Sequence, residues 1–389
     1  MHLLNGLREI GIVDVLYLHA PGDKDASADS LSEVRPLASW SSQLELSDWI
    51  QSGERWPWMS WRTAQAMNIA TGVCHEAPTI SRTTSDIIKN ALPRKVYDTV
   101  VAGRLPCAVI VDTLMRRGII ETDKKVVDLD DIMSRFKERE LHAEAARQGK
   151  LWSISLRVDI GRVRRAEARI ARSWTAASLC SHDDVSLFNR IYPNANVVRV
   201  PNVIDRAPLA VPTGATGRRL LFVGSLAFRA NVAGLRAFAR DAWPRILAAI
   251  PGVSLDVVGM LPPAGLKEEL EALDINVHAN VPSVEPFYQN ADIVISPILF
   301  GGGTRIKILE AMAYGRPIVS TAIGAEGLEL EPGRHALIAD SMAEFACAVI
   351  DLSKDAELRE RLSSEARALQ QREYGPSVMQ AALIQMLDC

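Results

Sequence analysis

Behind three consecutive glycines, Gly301, Gly302 and Gly303, the chain carries Thr304, Arg305, Lys307 and Glu310 in the stretch FGGGTRIKILEAMAYGRPIVST (300–321). Glycine lets backbone approach a ligand closely, and a helix starting here presents unpaired N–H groups with a partial positive charge. That pattern suits an anion, most simply a phosphate. Cations are disfavoured at a helix N-terminus, so Arg305 and Lys307 run against the helix dipole unless an anion sits between. Read blandly, Lys307 and Glu310 are a pair three apart on a solvated face, contributing ~0.2–0.5 kcal/mol. A second glycine, Gly224, followed by Ser225, ends the apolar run RRLLFVG (218–224).

The elements that must hold these residues follow from the hydrophobic pattern. RRLLFVG, VSLDVVG (253–259), INVHA (275–279) and ADIVISP (291–297) predict buried strands, alternating with helices from about Asn231 and over 266–273. Gly315 and Pro317 stop the helix behind the three glycines, and further helices are predicted over 342–352 and 355–370. Such alternation means an open parallel sheet covered on both faces, with ligands at the carboxyl ends of its strands. The first half has the same grammar: a helix over 2–11 and strands over 12–18, 97–103, 107–112, 124–130, 176–181 and 196–201. No strand precedes the first helix, so the central first strand of this α/β domain is expected to be missing. The expected organisation is a Rossmann-like domain over 1–205, a Pro/Gly/Ala-rich linker over 206–217, a second Rossmann-like domain over 218–370, and a C-terminal helix over 371–389 crossing back to the first.

Gly301 to Glu310, the following AMAYGRPIVST, PNVID (201–205) and VGSLAF (223–228) resemble glycosyltransferase family 4. The resemblance is strong from about residue 200 to 370 and weaker before. It implies a GT-B fold, two Rossmann-like domains facing across a cleft, the second binding a nucleotide-sugar donor and the first an acceptor. Transfer of a sugar to a glycan or lipid-linked acceptor in surface polysaccharide synthesis, with retained anomeric configuration, is what it implies for activity. Glu310 matches the second glutamate of the family's E-x7-E motif, which binds the nucleotide ribose. Gly302 stands where the first would be, and Ser225 and Ala230 stand where the family often has arginine and lysine. Arg305 and Lys307 are then a relocated cation pair for the leaving diphosphate, with Gly224, Ser225, Gly301, Gly302, Gly303 and Thr304 around the donor. The G-G-G-T-R-x-K-x-L-E-A variant is similar to one in bacterial polysaccharide glycosyltransferases. No metal or other cofactor is expected. The lost glutamate leaves open a silent homologue serving as a binding or scaffold subunit. A dinucleotide enzyme is disfavoured, because neither glycine site forms a G-x-G-x-x-G turn where one is required.

Other residues carry weaker signals. Asp128, Asp130 and Asp131 end a strand, where they could meet acceptor hydroxyls, hold a divalent cation, or cap a loop. Asp130 and Asp131 are kept as acceptor-side candidates. His75 and Glu76 read as a surface turn, Ser181-His182-Asp183 as a helix cap rather than a hydrolase triad, and Asn202 and Asp205 as structural.

The totals bound the rest. At 389 residues two domains are expected, and a net charge of -3 argues against nucleic acid. Five scattered cysteines without a C-x-x-C pair, no apolar run long enough to span a bilayer and no signal-peptide pattern fit a cytoplasmic protein. Between Arg135 and Arg172, eleven Lys/Arg face five Asp/Glu, a local +6. Arg164, Arg165, Arg169 and Arg172 recur there at helical spacing, which suits either a solvated face or a peripheral contact with anionic lipid.

Overall fold

A computed structural model describes residues 12–19, 40–45, 77–204 and 216–388, with the single positions 7 and 38. All but Leu7 of the helix expected over 2–11, the turn at His75 and Glu76, Asp205 and nearly all of the expected linker lie outside the described residues. The chain forms two compact units, Met1–Pro201 with Met379–Cys389, and Asn202–Val378.

The first unit runs β1 (Asp14–His19), β2 (Trp40–Glu45), α1 (Arg82–Ala91), β3 (Thr99–Gly103), α2 (Arg104–Arg116), β4 (Lys124–Asp128), α3 (Met133–Gln148), α4 (Lys150–Ser173), β5 (Ala176–Leu179), α5 (His182–Ile191) and β6 (Val197–Arg199). β1 and β2 pair in parallel, and β3-β4-β5-β6 form a four-stranded parallel sheet. Its core joins Val127, Leu179 and Ala177 of the strands to Leu105, Val109, Val163, Ile170 and Phe188 of the helices. Ser181 does cap a helix, its Oγ accepting from the Asp184 N–H at 3.0 Å, while Asp184 pairs with Arg135.

One expected strand is a helix. Residues 107–112 lie inside α2, where Leu105, Ala108, Val109, Ile110 and Leu114 are buried. A short apolar run looks the same in a buried strand and a buried helix. The deciding features are Gly103 as N-cap and Pro106 in the first turn, where its missing N–H costs nothing.

The second unit runs β7 (Arg219–Val223), α6 (Arg229–Asp241), α7 (Trp243–Ala249), β8 (Ser254–Gly259), α8 (Leu266–Glu271), β9 (Asn276–Ala279), α9 (Glu285–Asn290), β10 (Ile293–Ser296), α10 (Ile306–Ala313), β11 (Ile318–Ser320), α11 (Ala322–Ala325), β12 (Leu337–Ile338), α12 (Met342–Lys354) and α13 (Ala356–Glu373). A last helix, α14 (Pro376–Asp388), follows. Six parallel strands are ordered β12-β11-β10-β7-β8-β9, so β7 and β10 are central neighbours whose carboxyl ends lead to Gly224 and to the three glycines. Both strands are buried, β10 completely, as an all-parallel sheet covered on two faces requires. One apolar layer packs Phe222, Phe238, Trp243 and Phe345, and the other packs Val294, Ile308, Met312 and Tyr288.

Candidate functional site

The site is built on the loop between β10 and α10. Gly301 has φ +134° and Gly303 +68°, values that L side chains rarely adopt. A Cβ on Gly301 would also lie 2.7 Å from the Arg305 guanidinium. That close approach is possible because Arg305, the N-cap of α10, folds back over the loop and donates from Nη1 to the Gly302 carbonyl at 2.7 Å. Arg305 is 8% exposed and Lys307 7%. Thr304 accepts from Asn202 Nδ2 at 2.7 Å, which ties the segment entering this unit to the glycine loop.

Lys307 reaches from α10 across to the end of β7. Its Nζ donates to Asn231 Oδ1 at 2.7 Å and sits 4.0 Å from the centroid of the Phe222 ring. Asn231 is fixed in turn by donating from Nδ2 to the Ser225 carbonyl at 2.8 Å. Gly224 makes room: a Cβ there would lie 2.9 Å from both Lys307 Nζ and Asn231 Nδ2. Burial pushes the Lys307 ammonium well below the ordinary lysine range, the nearby Arg305 cation pushes the same way, and Glu310 partly opposes them. A cation that dehydrated at the positive end of a helix is poised for an anion.

Glu310 is one turn further along α10 and half-buried. Tyr288, wholly buried on α9, donates its single hydroxyl proton to Glu310 Oε2 at 2.9 Å, with the Lys307 carbonyl 3.2 Å away as the second acceptor within reach. Burial first, then the Glu310 charge, raises the Tyr288 hydroxyl well above its usual range, so it stays a donor. Its ring stacks on Tyr314, and the buried Arg316 donates from Nε to its carbonyl at 2.8 Å. A carboxylate offers about four acceptor positions, so Glu310 keeps capacity for two hydroxyls of a ligand. Replacing Tyr288 by Phe keeps the stacking and removes the donor. Nucleotide affinity is expected to fall about threefold to tenfold, ~0.5–1.5 kcal/mol, read by calorimetric titration.

The carboxyl edge of the first unit's sheet holds the acceptor-side candidates. Asp130 has φ +67° and Arg104 φ +68°, and Arg104 Nη2 lies 3.3 Å from Asp130 Oδ2. Two non-glycine residues in the left-handed region at one strand edge are a strained arrangement of the kind found at ligand sites. Asp131 closes a tight turn through its N–H to the Leu129 carbonyl at 2.8 Å. Asp128 accepts from Ser178 Oγ at 2.7 Å, and burial raises its carboxyl above the ordinary range. Arg104 thus holds Asp130 and Ser178 holds Asp128, while the backbone N–H and the charge of Asp130 also act on the Asp128 carboxyl.

Residues 217–355 match the family model described as glycosyl transferases group 1. The second unit is a group 1 glycosyl transferase domain. The whole chain is similar to solved glycosyltransferase structures of GT-B fold. It covers 98% of itself and 90% of sucrose-phosphate synthase from Thermosynechococcus elongatus, at 15% identity and a TM-score of 0.68. It covers 96% of itself and 99% of Anabaena HepE, in complex with UDP and glucose, at 12% identity and a TM-score of 0.61. TarM is matched at 10% identity and a TM-score of 0.61 over 80% of this chain and 59% of that one. A Klebsiella pneumoniae protein described as an uncharacterized 44.6 kDa protein in cps region is 28% identical over 164 residues, 40% of this chain and 42% of that protein. The match thus spans less than half the length of this curated relative. Within the transferase domain, Arg305, Lys307, Gly224, Ser225, Gly301, Gly302, Gly303, Thr304 and Glu310 fall into one neighbourhood, joined by Asn231, Tyr288 and Phe222, which sequence reasoning missed.

Proposed function

We propose that the chain transfers a sugar from a nucleotide-sugar donor to a glycan or lipid-linked acceptor in surface polysaccharide synthesis, retaining anomeric configuration. The observation that carries this reading is a buried cation pair, Arg305 and Lys307, one turn from a carboxylate, Glu310, behind a glycine loop at the carboxyl end of a central strand. The cations and the N–H groups around Gly302 and Gly303 stabilise the charge developing on the leaving diphosphate, and Glu310 holds the ribose. The bond from the anomeric carbon to the diphosphate oxygen breaks. The resulting oxocarbenium-like sugar is attacked from the same face by the acceptor hydroxyl, whose proton passes to the leaving phosphate. No protein nucleophile and no metal is required on this account. A relative lying in a cps region agrees with a polysaccharide acceptor.

A second reading, a donor-binding subunit without transfer, is favoured by Gly302 at the place of the family's first glutamate. Titration of the chain with UDP, GDP, ADP and NAD separates the possibilities, UDP first because solved relatives hold it. Binding of one nucleoside diphosphate, with slow hydrolysis of its sugar conjugate, is the expected result. Binding without hydrolysis or transfer supports the second reading, and binding of none removes both.

A further inference from the structure

The cationic stretch of the first unit resolves into a face and a groove. Arg164 leaves the set, because it is ion-paired with Glu138 and its carbonyl accepts from Tyr192. Arg165, Arg169 and Arg172 remain on α4, around two adjoining cavities of about 380 and 350 Å³ that share Arg165 and Arg169; Arg116 of α2 and Arg162, itself paired with Asp159 at 3.2 Å, complete the lining. Among the described residues no carboxylate lies within ion-pair distance of Arg165, Arg169 or Arg172. The floor of the groove is aliphatic, made by Pro78, Val109 and Ala166. The C-terminal ends of α2 and α4 lead into β4 and β5, which puts the groove at the amino edge of the sheet, opposite Asp130.

The same face of α4 carries something a solvated basic helix does not need. Leu151 and Ile154, three apart and about two helical turns before the Arg162, Arg165, Arg169 and Arg172 series, are 42% and 47% exposed. One helix face thus presents apolar side chains at one end and arginines at the other. The helix dipole explains a cation or two in the last turn, but not the leucine, the isoleucine or an arginine from a second helix.

We infer that this face docks on an anionic bilayer, with lipid phosphates in the arginine-lined groove and Leu151 and Ile154 entering the headgroup boundary. Charge complementarity and exposed apolar residues on one face select this occupant, since a polyanion without an apolar layer gives Leu151 and Ile154 nothing. Guanidinium groups suit phosphate because their planar forks donate two parallel hydrogen bonds. Among the described residues no helix is long and apolar enough to cross a membrane, so contact through this face would be peripheral.

Sedimentation of the full chain with vesicles tests this. Binding is expected to mixed phosphatidylcholine–phosphatidylglycerol vesicles and not to phosphatidylcholine alone, and to weaken as salt rises. The double reversal Arg165→Glu, Arg169→Glu should reduce it by about tenfold or more, since each basic residue contributes measurably near an anionic surface. Leu151→Gln with Ile154→Gln should reduce it severalfold at unchanged charge. Arg240→Glu with Arg245→Glu, the same charge change on the other unit, should leave it intact. Circular dichroism checks each variant, and Arg165→Gln with Arg169→Gln replaces the reversal if that fails to fold. Equal binding to neutral vesicles, native binding by the groove variants, equal loss in the control, or capture of a short RNA without vesicle binding would each overturn the inference. It rests on the first unit alone, and nucleoside diphosphate titration of the same preparations shows whether the transferase reading fails separately.

Discussion

Glu310→Ala is expected to weaken nucleoside diphosphate binding roughly tenfold to a hundredfold, the equivalent of ~1.5–3 kcal/mol for charge-assisted hydrogen bonds to ribose hydroxyls. The structure sharpens this expectation. Glu310 is not a surface carboxylate free to swing. Tyr288 fixes one of its oxygens at 2.9 Å, and Tyr288 is itself locked by stacking on Tyr314 and by Arg316. A pre-oriented acceptor loses little entropy on binding, so most of its hydrogen-bond energy appears as affinity. Removing the carboxylate also leaves the buried Tyr288 hydroxyl with only the Lys307 carbonyl at 3.2 Å, a modest destabilisation that a melting curve would register. The two effects are separable. Tyr288→Phe lowers affinity mildly, Glu310→Ala strongly, and Glu310→Gln lies between because an amide can still accept from Tyr288. An unchanged dissociation constant in Glu310→Ala would remove this residue from the site.

How much of this could be seen beforehand divides along a physical line. The glycine loop, the helix behind it and the buried strands of the transferase domain are local properties of consecutive residues, and their period and punctuation showed in the sequence. Residues 107–112 failed because five apolar residues followed by Asp112 have no distinctive period, and the evidence for a helix lay outside them, in Gly103 and Pro106. Asn231 and Phe222 converge on Lys307 from 76 and 85 positions away, and Tyr288 meets Glu310 across 22. Nothing in the spacing of such pairs marks them, since only the sheet order β10-β7 brings them together. Arg164 shows the converse. It shares helical spacing with Arg165, Arg169 and Arg172, yet one step around the helix turns it to Glu138 and out of the groove. Arg104 carried no sequence signal because its φ of +68° and its contact with Asp130 are products of the strand edge.

Lys307→Met should give the largest loss of turnover, about 10²–10³ in kcat, because a buried donor aimed at developing charge is worth far more than a solvated one. Fold and thermal stability should hold or improve. Methionine fills a similar volume against Phe222 and removes an ammonium whose dehydration the native state must bear. The pH dependence distinguishes this from loss of packing. Burial and Arg305 depress the Lys307 pKa in the folded chain, whereas in the unfolded chain it returns to about 10.4. Between the depressed value and ~10.4 the unfolded state binds more protons, so stability attributable to this residue rises with pH across that window. Below it both states are charged and the destabilisation is full, so Lys307→Met gains most over the native chain at low pH and least at high. Function runs oppositely. The ammonium that meets the diphosphate is lost as pH rises through the depressed value, and kcat/KM should decline there. A bound diphosphate reverses the shift, since an anion beside Nζ favours the charged form. Binding should therefore take up a proton on the alkaline side. Titrating UDP in two buffers of different ionisation enthalpy measures that uptake. It should be present in the native chain and absent in Lys307→Met, and equal apparent enthalpies in both buffers for the native chain would mean that Lys307 does not face the diphosphate.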